Sequence, residues 1–163
     1  MKFRSVNELE TFNFQDCVIK KLIHNEEAVR IEVEALIVNG SNSQNRQFFA
    51  SYIGETVITL EDALVEKIVL SGSKTYDADG NLLSKVDDRL LEESAYPTVV
   101  EECKDAYLSL AERINEENGR FTYMLEFEIP SEEEYDFLGI HFYEMTVSFA
   151  DAVVEWDRYM NRV

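Results

Sequence analysis

The side chains able to do chemistry are very unevenly supplied in this 163-residue chain: two His and two Cys stand against 33 Asp and Glu. His24 falls at a turn between two extended stretches and His141 at the start of another. No local spacing gathers either with Cys17, Cys103 or the carboxylates as a metal site needs, and the same spacing gives neither Cys a His to activate it as a nucleophile. Cys103 reads as a core residue. The GxSxG, Walker, GxGxxG and HExxH patterns are all absent. Asp77-Ala78-Asp79-Gly80-Asn81 has the look of a calcium loop. With Gly80 at the glycine position, however, Thr75 and Val86 fall where acidic oxygen donors belong, and Val86 has no oxygen to offer. Two carboxylates suffice for a glycosidase, but among so many acids a pair at a workable distance is guaranteed and selects nothing. A carboxylate-based hydrolase is therefore an alternative, and no metal or cofactor is expected.

What the acids do provide is charge. Lys and Arg number 15, leaving a formal net charge of -18. Such a field repels nucleic acid, whose binding rests on cations neutralising phosphates, and repels anionic membranes; it attracts a basic partner and speeds the encounter. The acids concentrate between Arg120 and Arg158, a stretch with no Lys or Arg that includes Ser131–Leu138, SEEEYDFL. A charge run of this kind is commonly a solvated loop. Here Glu132, Glu133, Glu134 and Asp136 are interleaved with Tyr135 and Phe137, and Trp156 lies downstream. Aromatic anchors among acids make an interaction surface, and these seven residues are the candidate site.

Length fits one domain, 1–163, with a core large enough to need no staple. A hydrophobic content of 45% sets the chain apart from disordered acidic sequences. Two distant cysteines read as buried thiols. The start, MKFRSVNELETF, turns polar at once and lacks the apolar core of a signal peptide, so the expected compartment is the cytoplasm. Oligomeric state is left open.

The elements that must position the acids follow from periodicity. A short helix is expected over Ser5–Thr11. Two strands turn near Asn25-Glu26-Glu27, the second alternating Val29, Ile31, Val33 and Ala35 against Arg30, Glu32 and Glu34. A polar loop follows, then a strand over Thr56–Leu60; Asp62–Leu70 fits either a strand or a helix. Asp79-Gly80 marks a hairpin over Thr75–Val86. Thr98-Val99-Val100-Glu101 reads as a capping box opening a long amphipathic helix, Thr98–Asn118. Its stripe is Val99, Cys103, Tyr107, Leu110 and Ile114, and Gly119 is its stop. Strands are expected over Phe121–Ile129 and Ile140–Val147, then a helix from Ser148 with Phe149, Ala152, Val153, Trp156 and Met160 on one side. The class is α+β: a mainly antiparallel sheet with one long amphipathic helix packed on it.

Ile58–Glu66 and Val147–Glu155 align without a gap, with Asp62/Asp151, Ala63/Ala152, Val65/Val154 and Glu66/Glu155 identical. The two readings are a pseudo-two-fold pair of half-domains and a chance echo.

Thr75–Asp87, TYDADGNLLSKVD, resembles one unit of the tyrosine–aspartate (YD) repeats of large bacterial shell-forming toxins. The resemblance implies a hairpin and carries no function. In size, charge and lack of catalytic motifs the chain is similar in general character to bacterial immunity proteins that block a basic toxin. The leading expectation is accordingly a non-enzymatic protein-binding module whose partner is a basic protein, with no nucleic acid and no membrane. The alternatives are the hydrolase and a structural subunit of a larger assembly.

Overall fold

The computed structural model of the chain describes residues 1–132 and 139–163. Sixteen strands follow one another: β1 (Phe3–Val6), β2 (Phe12–Asn13), β3 (Val18–His24), β4 (Ala28–Glu34), β5 (Ile37–Val38), β6 (Ser51–Ile53), β7 (Thr56–Glu61), β8 (Leu64–Leu70), β9 (Ser73–Tyr76), β10 (Leu82–Val86), β11 (Arg89–Leu90), β12 (Tyr107–Glu117), β13 (Arg120–Pro130), β14 (Ile140–Phe149), β15 (Asp151–Trp156) and β16 (Tyr159–Arg162). Among the described residues one α-helix, α1 (Tyr96–Glu102), stands between β11 and β12.

The main sheet has ten antiparallel strands in the order β1-β15-β7-β4-β3-β12-β13-β14-β8-β11. β7 runs into β8 across Asp62-Ala63, and β14 runs into β15 across Ala150. Strands near opposite ends of the order are therefore covalent continuations of one another, and the sheet folds over on itself around one core. That core takes the inward residues of every long strand: Ile19 and Leu22 of β3, Val29, Ile31 and Val33 of β4, Ile58 and Leu60 of β7, Val65 and Ile68 of β8, Leu108 of β12, Tyr123, Leu125, Phe127 and Ile129 of β13, Met145, Val147 and Phe149 of β14, and Ala152, Val154 and Trp156 of β15. A void of about 10 Å³ remains between Leu9, Phe14, Ile31, Ile58, Leu60, Leu108, Ala111 and Leu125. The packing is otherwise close, and each of these large side chains contributes about 1.5–3 kcal/mol by leaving water.

The α+β expectation fails at its helix. α1 has seven residues, begins at Tyr96 with Pro97 in its first turn, and has no side-chain N-cap, so Thr98 and Glu101 form no capping box. Asp105, at φ 63°, turns the chain away, and Tyr107–Glu117 is a strand paired with β13 along its whole length. Two signals misled. Asn118 and Gly119 have φ of 52° and 74°, which makes them the type I′ turn of a two-residue hairpin and not the stop of a helix. Register breaks between Leu108 and Leu110 and between Arg113 and Asn115 each insert an extra residue, so the apolar spacing drifts from two toward helical values. Of the supposed stripe, Val99 and Cys103 are buried, whereas Tyr107, Leu110 and Ile114 are exposed. The helix expected from Ser148 is likewise absent: β14 continues to Phe149 and β15 follows. Near the N-terminus, Ser5 lies in β1, and only a 3-10 turn, Leu9–Thr11, forms. There Ser5 Oγ donates to Glu8 Oε2 at 2.6 Å.

The echoed segments lie on the two continuous corners and pair with each other. Ile58 faces Val154 while Val147 faces Val65; Thr59 faces Val153 while Ser148 faces Leu64. Exchanging each residue for its echo turns one set of pairs into the other. The strand order obeys the same exchange, since swapping β3/β12, β4/β13, β7/β14 and β8/β15 turns β15-β7-β4-β3-β12-β13-β14-β8 into its own reverse. The bridge between the halves, Val18 opposite Tyr107, joins residues separated by the same interval as Ile58 and Val147. Each corner aspartate is held from afar. Arg120 Nη1 donates to Asp62 Oδ2 at 2.7 Å, and Asn7 Nδ2 donates to Asp151 Oδ1 at 2.8 Å.

Candidate functional site

Strand alternation decides which side chains of the second half face outward. With Tyr123, Leu125, Phe127 and Ile129 turned to the core, the other face of β13 presents Thr122, Met124, Glu126 and Glu128. The register sets Tyr107 and Phe142 on either side of Glu128, Leu110 and Glu144 on either side of Glu126, and Glu112 and Thr146 on either side of Met124. Four glutamates, Glu112, Glu126, Glu128 and Glu144, thus share one face with Tyr107, Leu110, Met124 and Phe142. Glu126, Glu128, Glu144, Met124 and Phe142 are half-buried by their neighbours, while Tyr107, Leu110 and Glu112 are exposed.

No cation balances the charge of this face among the described residues. Glu126 stands directly opposite Glu144, which places two carboxylate-bearing Cβ atoms about 5 Å apart and is destabilising. Among the described residues, no ion pair reaches Glu112, Glu126, Glu128 or Glu144. The one local relief is neutral: Ser109 Oγ donates to Glu126 Oε1 at 2.8 Å.

The sequence-predicted site meets this face only at its margin. The connection from β13 to β14 is closed at its base by Ser131 N–H donating to Gly139 O at 2.8 Å, and Glu132 is exposed just beyond Ser131. Glu133, Glu134, Tyr135, Asp136 and Phe137 lie outside the described residues. Trp156 is not an anchor for a partner. It is fully buried, stacked on Phe3 with ring centroids 5.5 Å apart and flanked edge-on by Phe12 and Tyr159. Its indole N–H has no acceptor among the described residues. The glutamates of β12, β13 and β14 were missed as a site because a stretch taken for a helix hides its strand register. Glu126-Phe127-Glu128 alternation was the signal that could have found them.

A second polar cluster lies between α1 and β14. Tyr143 Oη donates to Glu102 Oε2 at 2.6 Å, and His141 Nε2 lies 3.3 Å from the same oxygen. Burial, reinforced by the Glu102 carboxylate, raises the Tyr143 phenol above its ordinary range. The neighbouring Cys103 thiol is pushed by burial up to about 12, as is Cys17, so both are protonated and unreactive at neutral pH. The contacts tie α1 to the sheet. Among the described residues no group of three or more His, Cys, Asp or Glu converges as metal ligands, and His24 is exposed at the end of β3. Two surface depressions of about 350 Å³ lie elsewhere. One is lined by Glu34, Tyr52, Gly54 and Arg158 among others; the second includes Lys20, Arg30 and Glu55. Neither contains the Glu102 cluster or a cysteine.

Among the described residues no helix is long and apolar enough to cross a membrane. No family model matches the chain, and comparison with curated proteins and with solved structures gives no match.

Proposed function

We propose that the protein is a non-enzymatic binding module that holds a basic protein against the outer face of β12, β13 and β14, as an acidic inhibitor of immunity type would. The observation that supports this most is the unpaired opposition of Glu126 and Glu144. A fold gains nothing by setting two carboxylates face to face without a cation, and a cationic partner relieves that repulsion on docking. The flanking Tyr107, Leu110, Met124 and Phe142 supply apolar contact in which the new ion pairs are shielded from water. The acidic connection at the end of the same hairpin extends the negative field and steers the approach.

The test is capture from lysate of the source cells at low and high salt, using wild type and a Glu112→Gln, Glu126→Gln, Glu128→Gln, Glu144→Gln variant. A basic protein retained by wild type, weakened by salt and lost with the variant, is the expected result. Equal retention by both chains overturns the assignment of this face, and a salt-insensitive complex overturns its electrostatic mechanism.

A further inference from the structure

Between β8 and β11 the chain leaves the closed sheet as an arm. The same pairing interval holds from Leu90 opposite Val69 and Arg89 opposite Leu70 to Val86 opposite Ser73, Lys85 opposite Lys74 and Ser84 opposite Thr75, with a break at Gly72, whose N–H donates to Asp88 Oδ1 at 2.7 Å, and a register shift between Leu82 and Ser84. β8–β9 and β10–β11 are therefore one long hairpin, tipped by Asp79-Gly80. Eight residues from Gly72 to Asp79 span about 25 Å at strand rise. No residue from Ser73 to Leu90 is buried. Even so, Leu82 (53%), Leu83 (67%), Val86 (58%) and Leu90 (66%) expose their apolar side chains. β11 ends the strand order, and β10 has β9 as its one neighbour, so the edge from Leu82 to Leu90 is unpaired. Leu91 N–H donates to Ile68 O at 2.9 Å. Among the described residues no strand lies beyond β10 or β11 to take their outward N–H and C=O groups.

We infer that this edge pairs antiparallel with the same edge of a second copy of the chain, about a two-fold axis at Val86. The run Leu82-Leu83-Ser84-Lys85-Val86-Asp87-Asp88-Arg89-Leu90 is complementary to its own reverse. Laid against itself at Val86, it sets Lys85 against Asp87, Ser84 against Asp88, Leu82 against Leu90, and Val86 against itself. Lys85 and Asp87 already form an ion pair at 3.0 Å within one chain, so the dimer gains an alternating group of four charges, with apolar side chains before and after it. Such an isologous contact closes as a dimer and leaves no free copy of the edge to propagate. Charge favours the place as well. Residues 71–90 hold three basic and four acidic side chains, the near-neutral part of a chain of net charge -18. The arms hold the acidic bodies apart by more than the Debye length of about 8 Å at physiological salt.

Sedimentation equilibrium over a concentration series tests this. Wild type is expected to reach twice the 18.9 kDa chain mass, more readily as salt rises, because the bodies repel. Val86→Lys and Val86→Glu, which place like charges on the axis, are each expected to weaken association roughly tenfold or more. Mixing the two variant chains is expected to restore the doubled mass. Unchanged fluorescence of the buried Trp156 shows that the variants fold. A wild type that stays at monomer mass throughout overturns the proposal, as does a dimer that survives both substitutions. Monomeric variants that fail to reassociate when mixed overturn the axis at Val86.

Discussion

On the first half of the closed sheet, β3, β4 and β7, ion pairs join outward charges, although Lys21 and Glu61 make none among the described residues. Lys20 lies 3.5 Å from Glu34 and 3.9 Å from Asp105, and Arg30 lies 3.4 Å from Glu32. On the second half, β12, β13 and β14, the strands occur in the corresponding order, yet among the described residues Glu112, Glu126, Glu128 and Glu144 have no cation and stand among Tyr107, Leu110, Met124 and Phe142. The two halves share an architecture and differ in what their outer faces leave unsatisfied. A face that neutralises itself has little to offer a charged partner. A face that keeps its repulsion stores a drive to bind. The architecture is thus a scaffold common to both halves, and the proposed specificity belongs to one of them.

The comparison breaks first in the core. Leu60 and Phe149 are echo partners, each 1% exposed. Leu60→Ala is expected to cost about 2–5 kcal/mol and Phe149→Ala about 3–5 kcal/mol. Because the corners knit the halves together, both variants should still unfold in a single transition by calorimetry. Two separated transitions would show that the halves are independent units and that the symmetry is only formal.

Alkaline pH should separate the halves more gently. Burial, with Glu10 nearby, raises the Tyr123 phenol to about 12, and Tyr143 is raised as well. Both lie in the second half, at inward positions of β13 and β14. A phenol whose folded pKa is raised adds stability that is fully present below the unfolded value, about 10, and is lost as pH rises through the folded value. Stability should therefore decline above about pH 10. A Tyr123→Phe, Tyr143→Phe variant should show a shallower decline than wild type in denaturant midpoints measured across that range. An unchanged slope would assign the alkaline limb to the Cys17 and Cys103 thiols and to Tyr52, Tyr96 and Tyr159, which are also raised.

The smallest effects are the sharpest, because they differ in sign. Glu144→Gln removes a like-charge opposition and should stabilise the fold by about 0.2–1 kcal/mol. Glu34→Gln removes an exposed ion pair and should destabilise it by at most about 1 kcal/mol. Urea titrations of the two variants side by side decide the matter. A loss of stability in Glu144→Gln would mean that the second face is satisfied after all, and would remove the main support for partner binding there. The same substitution should weaken partner capture while it strengthens the fold.

Much of the sheet was legible in the sequence. The alternation of Val29, Ile31 and Val33, and of Tyr123, Leu125, Phe127 and Ile129, gave β4 and β13 correctly, because a strand with one buried face must alternate. Asp79-Gly80 gave its hairpin for an equally local reason: turn chemistry is written in two or three residues. Asn118-Gly119 carries the same kind of signal, but a preceding run with helical spacing outweighed it. Bulges made that spacing, and a bulge depends on the partner strand. The class was misjudged there. The candidate site suffered similarly. Trp156 is a plausible anchor by residue type, yet the closure of the sheet puts it beneath Phe3, Phe12 and Tyr159. The glutamates of β12, β13 and β14 are scattered along the chain and become one face through register alone.

By itself the sequence determined the strong negative charge, the alternating strands, the local turns and the echo between Ile58–Glu66 and Val147–Glu155. All of these depend on residue type and short spacing. Only the tertiary structure decided that Tyr107–Glu117 is a strand, that the echoed segments are corners paired with each other, and that Glu126 faces Glu144. Each of these is a relation between residues distant in sequence, fixed when the sheet closes around a shared core.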